Sequence, residues 1–105
     1  MAEESQTVWT ASLDQARGLV QIEGEVDFTN SLEVRDWLRR HCQESVGDLR
    51  LDLSRLSYID SSGLAVLIEL RKFLKIQNRS VRIESVSNQV QKLFDLTQLG
   101  ELFGI

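Results

Sequence analysis

The residues best suited to chemistry in this chain lie in one short polar segment, Asp60-Ser61-Ser62-Gly63. Two hydroxyls and a carboxylate stand here directly before an apolar helical pattern that begins at Leu64. The first turn of a helix presents unpaired backbone N–H groups and the positive end of the helix dipole. Such a position can hold a phosphate, carried by a ligand or attached to a serine. The alternative is purely structural, since aspartate and serine are also preferred helix caps.

A second acidic segment ends the preceding strand pattern, with Glu25 and Asp27 as its carboxylates. If this loop and the serine segment follow neighbouring strands, both lie at one edge of the sheet. Asp27 would then join Asp60, Ser61 and Ser62 in one acidic, hydroxyl-rich surface. The alternative is that Asp27 and Glu25 are solvated turn residues.

Catalytic, metal and nucleotide sites receive little support from the residues. His41 is the one histidine, and the Gly-x-Ser-x-Gly motif of a hydrolase nucleophile is absent. A serine enzyme would need His41 within hydrogen-bond reach of Ser61 or Ser62. His41 and Cys42 are adjacent on a helix and diverge by about 100°, so they cannot easily share a metal ion. No phosphate-cradling glycine motif occurs. We therefore expect no catalytic residue, no cofactor and no metal.

Size and charge narrow the class further. The chain has 105 residues, 42% of them apolar, which fits one globular domain spanning residues 1–105. Residues 1–60 carry twelve acids and six bases, whereas residues 61–105 carry four acids and six bases. The acidic first half argues against a nucleic-acid partner. Five bases cluster in the second half, as solvated faces or as a basic rim for an acidic protein: Arg71, Lys72, Lys75, Arg79 and Arg82.

The expected location is the cytoplasm. Residues 1–6 are polar and acidic, unlike a signal peptide, and no apolar run approaches the length of a membrane span. Cys42 is the one cysteine, so an internal disulfide is impossible.

Hydrophobic periodicity predicts an α/β fold. Alternating apolar residues predict four strands, at residues 7–13, 19–26, 49–54 and 81–86. Helical spacing predicts three helices, at residues 31–44, at 62–76 and after a cap at Ser87 or Asn88. Asn30 and Glu33 are predicted to form a capping box, and residues 55–59 a short loop. The order β-β-α-β-α-β-α predicts a mixed β-sheet with an N-terminal antiparallel hairpin, later parallel crossovers, and helices packed on the sheet.

These motifs together resemble the STAS domain family, which includes the bacterial anti-sigma factor antagonists. Three stretches carry the resemblance: Gly24-Glu25-Val26-Asp27, residues 51–64 with Asp60-Ser61-Ser62-Gly63-Leu64, and Val90-Gln91-Lys92-Leu93-Phe94-Asp95-Leu96. With the elements between them, the resemblance covers about residues 7–103. It implies a single STAS domain that works as a protein–protein interaction module rather than as an enzyme.

The resemblance also implies a mechanism and a set of site residues. In antagonists of this family, the second serine of Asp-Ser-Ser-Gly is phosphorylated by an anti-sigma factor with serine kinase activity, of the histidine-kinase-like ATPase type. Here that serine is Ser62, with Ser61 as the less favoured acceptor. The unphosphorylated form binds the kinase, and the phosphorylated form does not. The implied partner-binding residues are Asp27, Thr29, Asp60, Ser61, Ser62 and Gly63, in a monomer or weak dimer.

A second resemblance within the family gives the alternative. The chain ends at Ile105 without the further strand and helix of many antagonists, and it contains Val26-Asp27-Phe28. Both traits resemble the cytoplasmic STAS subunit of the Mla lipid-transport ATPase. In that subunit the same turn, with Ser or Thr at the position of Ser61, contacts the ABC-type ATPase and supports its assembly, without necessarily being phosphorylated.

Overall fold

The computed structural model describes residues 8–105 of the chain. The predicted strand start at Thr7 and the polar residues 1–6 lie outside the described residues. Within the described part, nine elements follow one another. They are β1 (Trp9–Asp14), β2 (Leu19–Val26), α1 (Ser31–Cys42), β3 (Leu49–Leu53), β4 (Leu56–Ile59), α2 (Ser61–Ile76), β5 (Val81–Val86), α3 (Asn88–Thr97) and a 3-10 helix (Gly100–Phe103).

The five strands form one mixed sheet; the periodicity predicted a mixed sheet with four of them. β1 and β2 are an antiparallel hairpin, with Trp9 opposite Gly24 and Asp14 opposite Leu19. β2 then pairs in parallel with β3, and β3 pairs in parallel with β5, which gives the order β1-β2-β3-β5. The α/β fold class and the hairpin with later parallel crossovers are confirmed.

The loop predicted at residues 55–59 is wrong, because Leu56–Ile59 forms β4. This strand runs parallel to the second half of β2, with Val26 opposite Ile59. The signal was hidden because Leu56 and Ile59 are buried while the two residues between them are exposed, which breaks the two-residue period. β3 and β4 thus act as one bent strand that pairs with successive halves of β2.

The sheet buries one face and leaves the other polar. Alternate residues of the strands enter the core: Val20, Ile22, Leu49, Leu51, Leu53, Val81 and Ile83. The same core receives Leu38 from α1, Leu67 from α2 and Phe94 from α3. On the opposite face, Arg50 of β3 pairs with Glu84 of β5. The fold therefore gains its apolar burial from one layer of helices against one side of the sheet.

The connections bring the helix starts to one edge. α1, α2 and α3 follow β2, β4 and β5, and these strands are parallel to one another through β3 or directly. α1 and α2 pack side by side in the same direction: Arg39 lies 3.4 Å from Glu69 and 5.9 Å from the ring centroid of Phe73. All three helices consequently begin at the edge where the parallel strands end.

Candidate functional site

Asp60 caps α2, and the helix starts at Ser61, one residue before the predicted start. The Gly63 N–H donates to Asp60 Oδ1 at 3.1 Å, and the Leu64 N–H donates to the Asp60 backbone oxygen at 2.9 Å. These are the bonds expected of an N-cap residue and the first helical turn. The capping function is therefore carried by the carboxylate rather than by either serine.

The two serine hydroxyls have no structural task within the described residues. Ser61 is exposed and Ser62 is partly exposed. Among residues 8–105, neither side chain forms a hydrogen bond with another residue of the protein. Both hydroxyls lie in the first turn of α2, where an added phosphate would find a favourable helix dipole. The structural explanation by capping thus does not account for these two serines.

Asp60 also joins the serine segment to the loop after β2. Its second carboxylate oxygen, Oδ2, accepts from the Phe28 N–H at 3.0 Å. The Asp60 N–H donates to the Val26 oxygen at 3.2 Å. β2 and β4 end side by side, so the residues that follow them meet. Asp27, Asp60, Ser61 and Ser62 accordingly lie at the same edge of the sheet.

The predicted capping box at the start of α1 is wrong. Asn30 precedes the helix, but its side chain makes no cap bond to the first turn. Its Oδ1 accepts from the Asp27 N–H and its Nδ2 donates to the Glu25 oxygen, both at 2.9 Å. The buried amide is used to pair the backbone of the preceding bend, which would otherwise be left unsatisfied. Glu33 instead accepts from Trp9 Nε1 at 3.3 Å.

Thr29 fixes the carboxylate of Asp27. Asp27 Oδ1 accepts from the Thr29 hydroxyl and also from the Thr29 N–H, the latter at 2.9 Å. These bonds, that of the hydroxyl foremost, hold the pKa of Asp27 below its ordinary value of 3.8. The side chain is therefore ionised at neutral pH, and its negative charge is held in one position.

Gly63 sets how closely α2 approaches the sheet. A Cβ added to Gly63 would lie 2.4 Å from Ile59 Cγ1 and 3.0 Å from Val26 Cγ1. These distances are shorter than van der Waals contact, so a side chain would push the first turn of α2 outward. Gly63 therefore contributes to the site by fixing the position of Ser61 and Ser62.

Two exposed apolar residues beside the site were missed by sequence reasoning. Phe28 is 75% exposed and Leu32, in the first turn of α1, is 62% exposed. An aromatic residue between Asp27 and Thr29 in a polar turn was the available signal. We define the docking edge as Asp27, Phe28, Thr29, Leu32, Asp60, Ser61 and Ser62. It combines fixed negative charge, free hydroxyls and accessible apolar area, which is the chemistry of a protein-binding surface.

The arrangement needed for a serine enzyme is not formed. The ring of His41 stacks on Trp37 with centroids 4.1 Å apart, and its Nδ1 lies 2.9 Å from the Trp37 oxygen. His41 is near the end of α1, whereas Ser62 is in the first turn of α2, at the edge where α1 begins. Across residues 8–105, no cluster of histidine, cysteine and acidic side chains could hold a metal ion. In the same range, no helix has the length and apolar character needed to cross a bilayer.

Comparison with known proteins places this geometry in a family. The family model described as the STAS domain matches residues 10–105. The anti-sigma-B factor antagonist of Bacillus subtilis (strain 168) is 35% identical over 86 residues, which are 82% of this chain and 78% of that protein.

Solved structures agree on the fold. An anti-sigma factor antagonist from Mycobacterium paratuberculosis aligns with a TM-score of 0.79 at 20% identity, covering 91% of this chain and 83% of that one. The anti-sigma factor antagonist SpoIIAA in its unphosphorylated form gives a TM-score of 0.72 at 24% identity, covering 89% and 84%. SpoIIAA in the phosphorylated form gives 0.64 at 24% identity, covering 89% and 87%.

Proposed function

This chain belongs to the STAS domain family, and on that premise we propose that it is an anti-sigma factor antagonist switched by phosphorylation of Ser62. Its partner would be an anti-sigma factor with serine kinase activity, of the histidine-kinase-like ATPase type. The unphosphorylated chain would bind this partner through the docking edge, and the phosphorylated chain would release it. The protein would act by binding and would itself catalyse no reaction.

The observation that carries the proposal is that the Asp60 carboxylate caps α2, while the two serine side chains of its first turn do not. Asp60 satisfies the cap, so the Ser61 and Ser62 hydroxyls remain available to a partner. The curated relative at 35% identity is an antagonist by name, which supports the same role here. Ser61 is the more exposed of the two, so the experiment has to distinguish the two acceptors.

The docking edge suits a partner with a basic surface around an apolar socket. Asp27 presents a carboxylate ionised at neutral pH, while Phe28 and Leu32 present apolar side chains beside it. Aromatic anchors of this kind typically dominate the binding free energy, and the surrounding charges steer association. The kinase would place its ATP beside the first turn of α2.

Phosphorylation would act by charge. A phosphoserine carries about −1.5 to −2 charges at pH 7. At Ser62 the fold tolerates it because of the helix N-terminus, but the charge stands beside Asp60 and Asp27. Repulsion and desolvation at the interface of about 2–3 kcal/mol would weaken binding roughly 30- to 150-fold, enough for a switch. SpoIIAA, which has this fold, has been solved in both forms.

The test is phosphorylation by the cognate anti-sigma factor. The wild-type chain, Ser61→Ala and Ser62→Ala are each incubated with this partner and ATP, and intact mass and peptide mapping follow. We expect one phosphoryl group on wild type and on Ser61→Ala, and none on Ser62→Ala. Ser62→Ala should still bind the partner.

Two results would redirect the proposal. Phosphorylation of Ser62→Ala but not of Ser61→Ala would move the switch to Ser61. Absence of phosphorylation and of binding, together with co-purification of an ABC-type ATPase, would favour the Mla-type subunit instead. The antagonist ranks first because the relative reported above bears that name.

A further inference from the structure

We propose that a cleft beside the second half of α2 binds a small molecule that carries phosphate groups. The cleft has a volume of about 380 Å³ and lies between α2, the start of β5 and the 3-10 helix. Four cationic residues line it, with one acidic residue: Arg71, Lys75, Arg79 and Arg82, with Glu101. This is a concentration of positive charge in a chain whose net charge is −4.

Arg71 is held in position with donors to spare. Its Nε donates to the Leu102 oxygen at 3.0 Å, which anchors the guanidinium at the floor of the cleft. Its two terminal nitrogens bond to no group among residues 8–105. Lys75 is one helical turn further along α2 and shares the same face. The Lys75 ammonium group and the two unbonded terminal nitrogens of Arg71 therefore face the same space.

Arg82 approaches from the opposite wall. Its Nε would lie 3.0 Å from a Cβ at Gly104, a residue with φ +80°, so the glycine lets the guanidinium lie against the chain. Glu84, the nearest acid on β5, is paired with Arg50 instead. Within the described part of the chain, Arg82 and Lys75 have no acidic partner.

Arg79 supplies charge but few donors. Its Nε and terminal nitrogens donate to the Gly47 oxygen, the Cys42 oxygen and Ser45 Oγ, at 2.6, 3.2 and 3.1 Å. Arg79 thus ties the segment after α1 to the end of α2. Its positive charge adds to the potential of the cleft while its hydrogen bonds serve the fold.

These properties select a phosphate ligand. Guanidinium groups match phosphate oxygens in pairs, and an ammonium adds a point charge. The volume falls in the range of small-molecule sites, so an organic group can accompany the phosphate, against Leu102 and Val81. Lys75 is 13 residues beyond Ser62 on α2, about 20 Å along the axis. This inference is therefore independent of the switch at Ser62.

The test is a titration followed by amide resonances. Inorganic pyrophosphate and adenosine monophosphate are added separately to the full chain at constant ionic strength, set with sodium chloride. We expect saturable shifts of the amides of Leu102, Gly104 and Arg82 while those of Ser61 and Ser62 stay in place. Tighter binding of the monophosphate would indicate that the organic group is recognised, and tighter pyrophosphate binding that phosphate alone is.

Charge-matched variants complete the test. Lys75→Gln with Arg82→Gln should weaken binding roughly tenfold or more, because both removed charges face the cleft. Lys72→Gln with Lys92→Gln removes two exposed charges outside the cleft and should leave affinity unchanged. The proposal is overturned if the shifts do not saturate, or if both double variants weaken binding equally. The spectra themselves report whether each variant is folded.

Discussion

At the scale of single residues, the first turn of α2 assigns different tasks to adjacent polar side chains. Both carboxylate oxygens of Asp60 are engaged, one with the Gly63 N–H and the other with the Phe28 N–H. A charged acceptor is worth more at these positions than a hydroxyl would be. The Ser61 and Ser62 side chains are therefore not needed to cap the helix, and substitutions of them should affect partner binding rather than folding.

Replacement of Ser62 by aspartate should mimic part of the phosphate charge. We expect Ser62→Asp to bind the anti-sigma factor at least tenfold more weakly, while thermal stability changes little because the helix N-terminus accepts the charge. Calorimetric titration and thermal unfolding would measure these quantities. Ser85→Asp, at an exposed position of β5, is the matched control and should bind normally. Equal affinities for both variants would remove the switch.

Phe28 should be an anchor of the interface. The side chain is 75% exposed, so Phe28→Ala removes little packing and should leave the free energy of unfolding nearly unchanged. Partner affinity should fall by roughly 1–3 kcal/mol, as for buried aromatic anchors of interfaces. Val46→Ala changes a residue that is 93% exposed near the far end of α1 and should have no effect. A Phe28→Ala chain that binds like wild type would exclude this residue from the interface.

At the scale of elements, the limits of sequence reasoning have physical causes. Alternation identified β1, β2, β3 and β5 because more buried and more exposed residues alternate over most of each strand, with partly buried residues in β1 and fully buried ones in the other three. β4 was not predicted because its two end residues are buried and its two middle residues are exposed, which is not an alternating pattern. The prediction that Asn30 caps α1 was wrong because capping rules consider only the residues that follow in the sequence. The Asn30 side-chain amide instead bonds to the backbone of Glu25 and Asp27, in the bend before the helix. Local patterns do not contain such competition between partners.

The contact between α2 and β4 gives a prediction for Gly63. Gly63→Ala places a Cβ 2.4 Å from Ile59 Cγ1, and the resulting strain should exceed the gain in helix propensity. We expect the free energy of unfolding to fall by about 1–2 kcal/mol and partner binding to weaken, because the helix start is displaced. Urea denaturation measures the first effect.

Ile59→Ala supplies the control for this contact. It removes the two Ile59 atoms that the new Cβ would meet and leaves Val26 Cγ1 at 3.0 Å, so adding Gly63→Ala in that background should cost much less than in wild type. Additive losses in the double variant would show that the glycine matters for another reason.

At the scale of the whole molecule, those features of the candidate site that follow from the order of strands and helices could be predicted from the sequence. Parallel strands carry their following loops to one edge, so the proximity of Asp27 to Asp60 followed from the element order. The bonds that hold these residues, from Phe28 and Thr29, could not be read from spacing. The same holds for the basic cleft, whose two walls are separate segments that only folding brings together.

The buried thiol of Cys42 gives the molecule a pH dependence in the alkaline range. Burial raises the pKa of Cys42 to about 11 from 9.0, against the opposing charge of Arg79. Between pH 9 and 11, the Cys42 thiol therefore keeps its proton in the folded state and loses it in the unfolded state. The contribution of this thiol to stability should be constant below pH 9 and fall between pH 9 and 11, by about 2–3 kcal/mol in total.

Urea denaturation from pH 7 to 11 tests this dependence. Cys42→Ala removes the titrating group, so the difference between wild type and variant should shrink as the pH rises. A difference that stays constant over this range would mean that the thiol titrates alike in both states.

The position of the serines at the start of a helix has a consequence for repeated phosphorylation and dephosphorylation. The first turn of α2 contributes roughly half an elementary positive charge at the place where a dianion would be added, and the start of α1 lies at the same edge. The modified and unmodified chains can then be nearly equal in conformational energy. Removal of the group by a phosphatase would return an intact molecule to its first state, ready for another cycle without refolding.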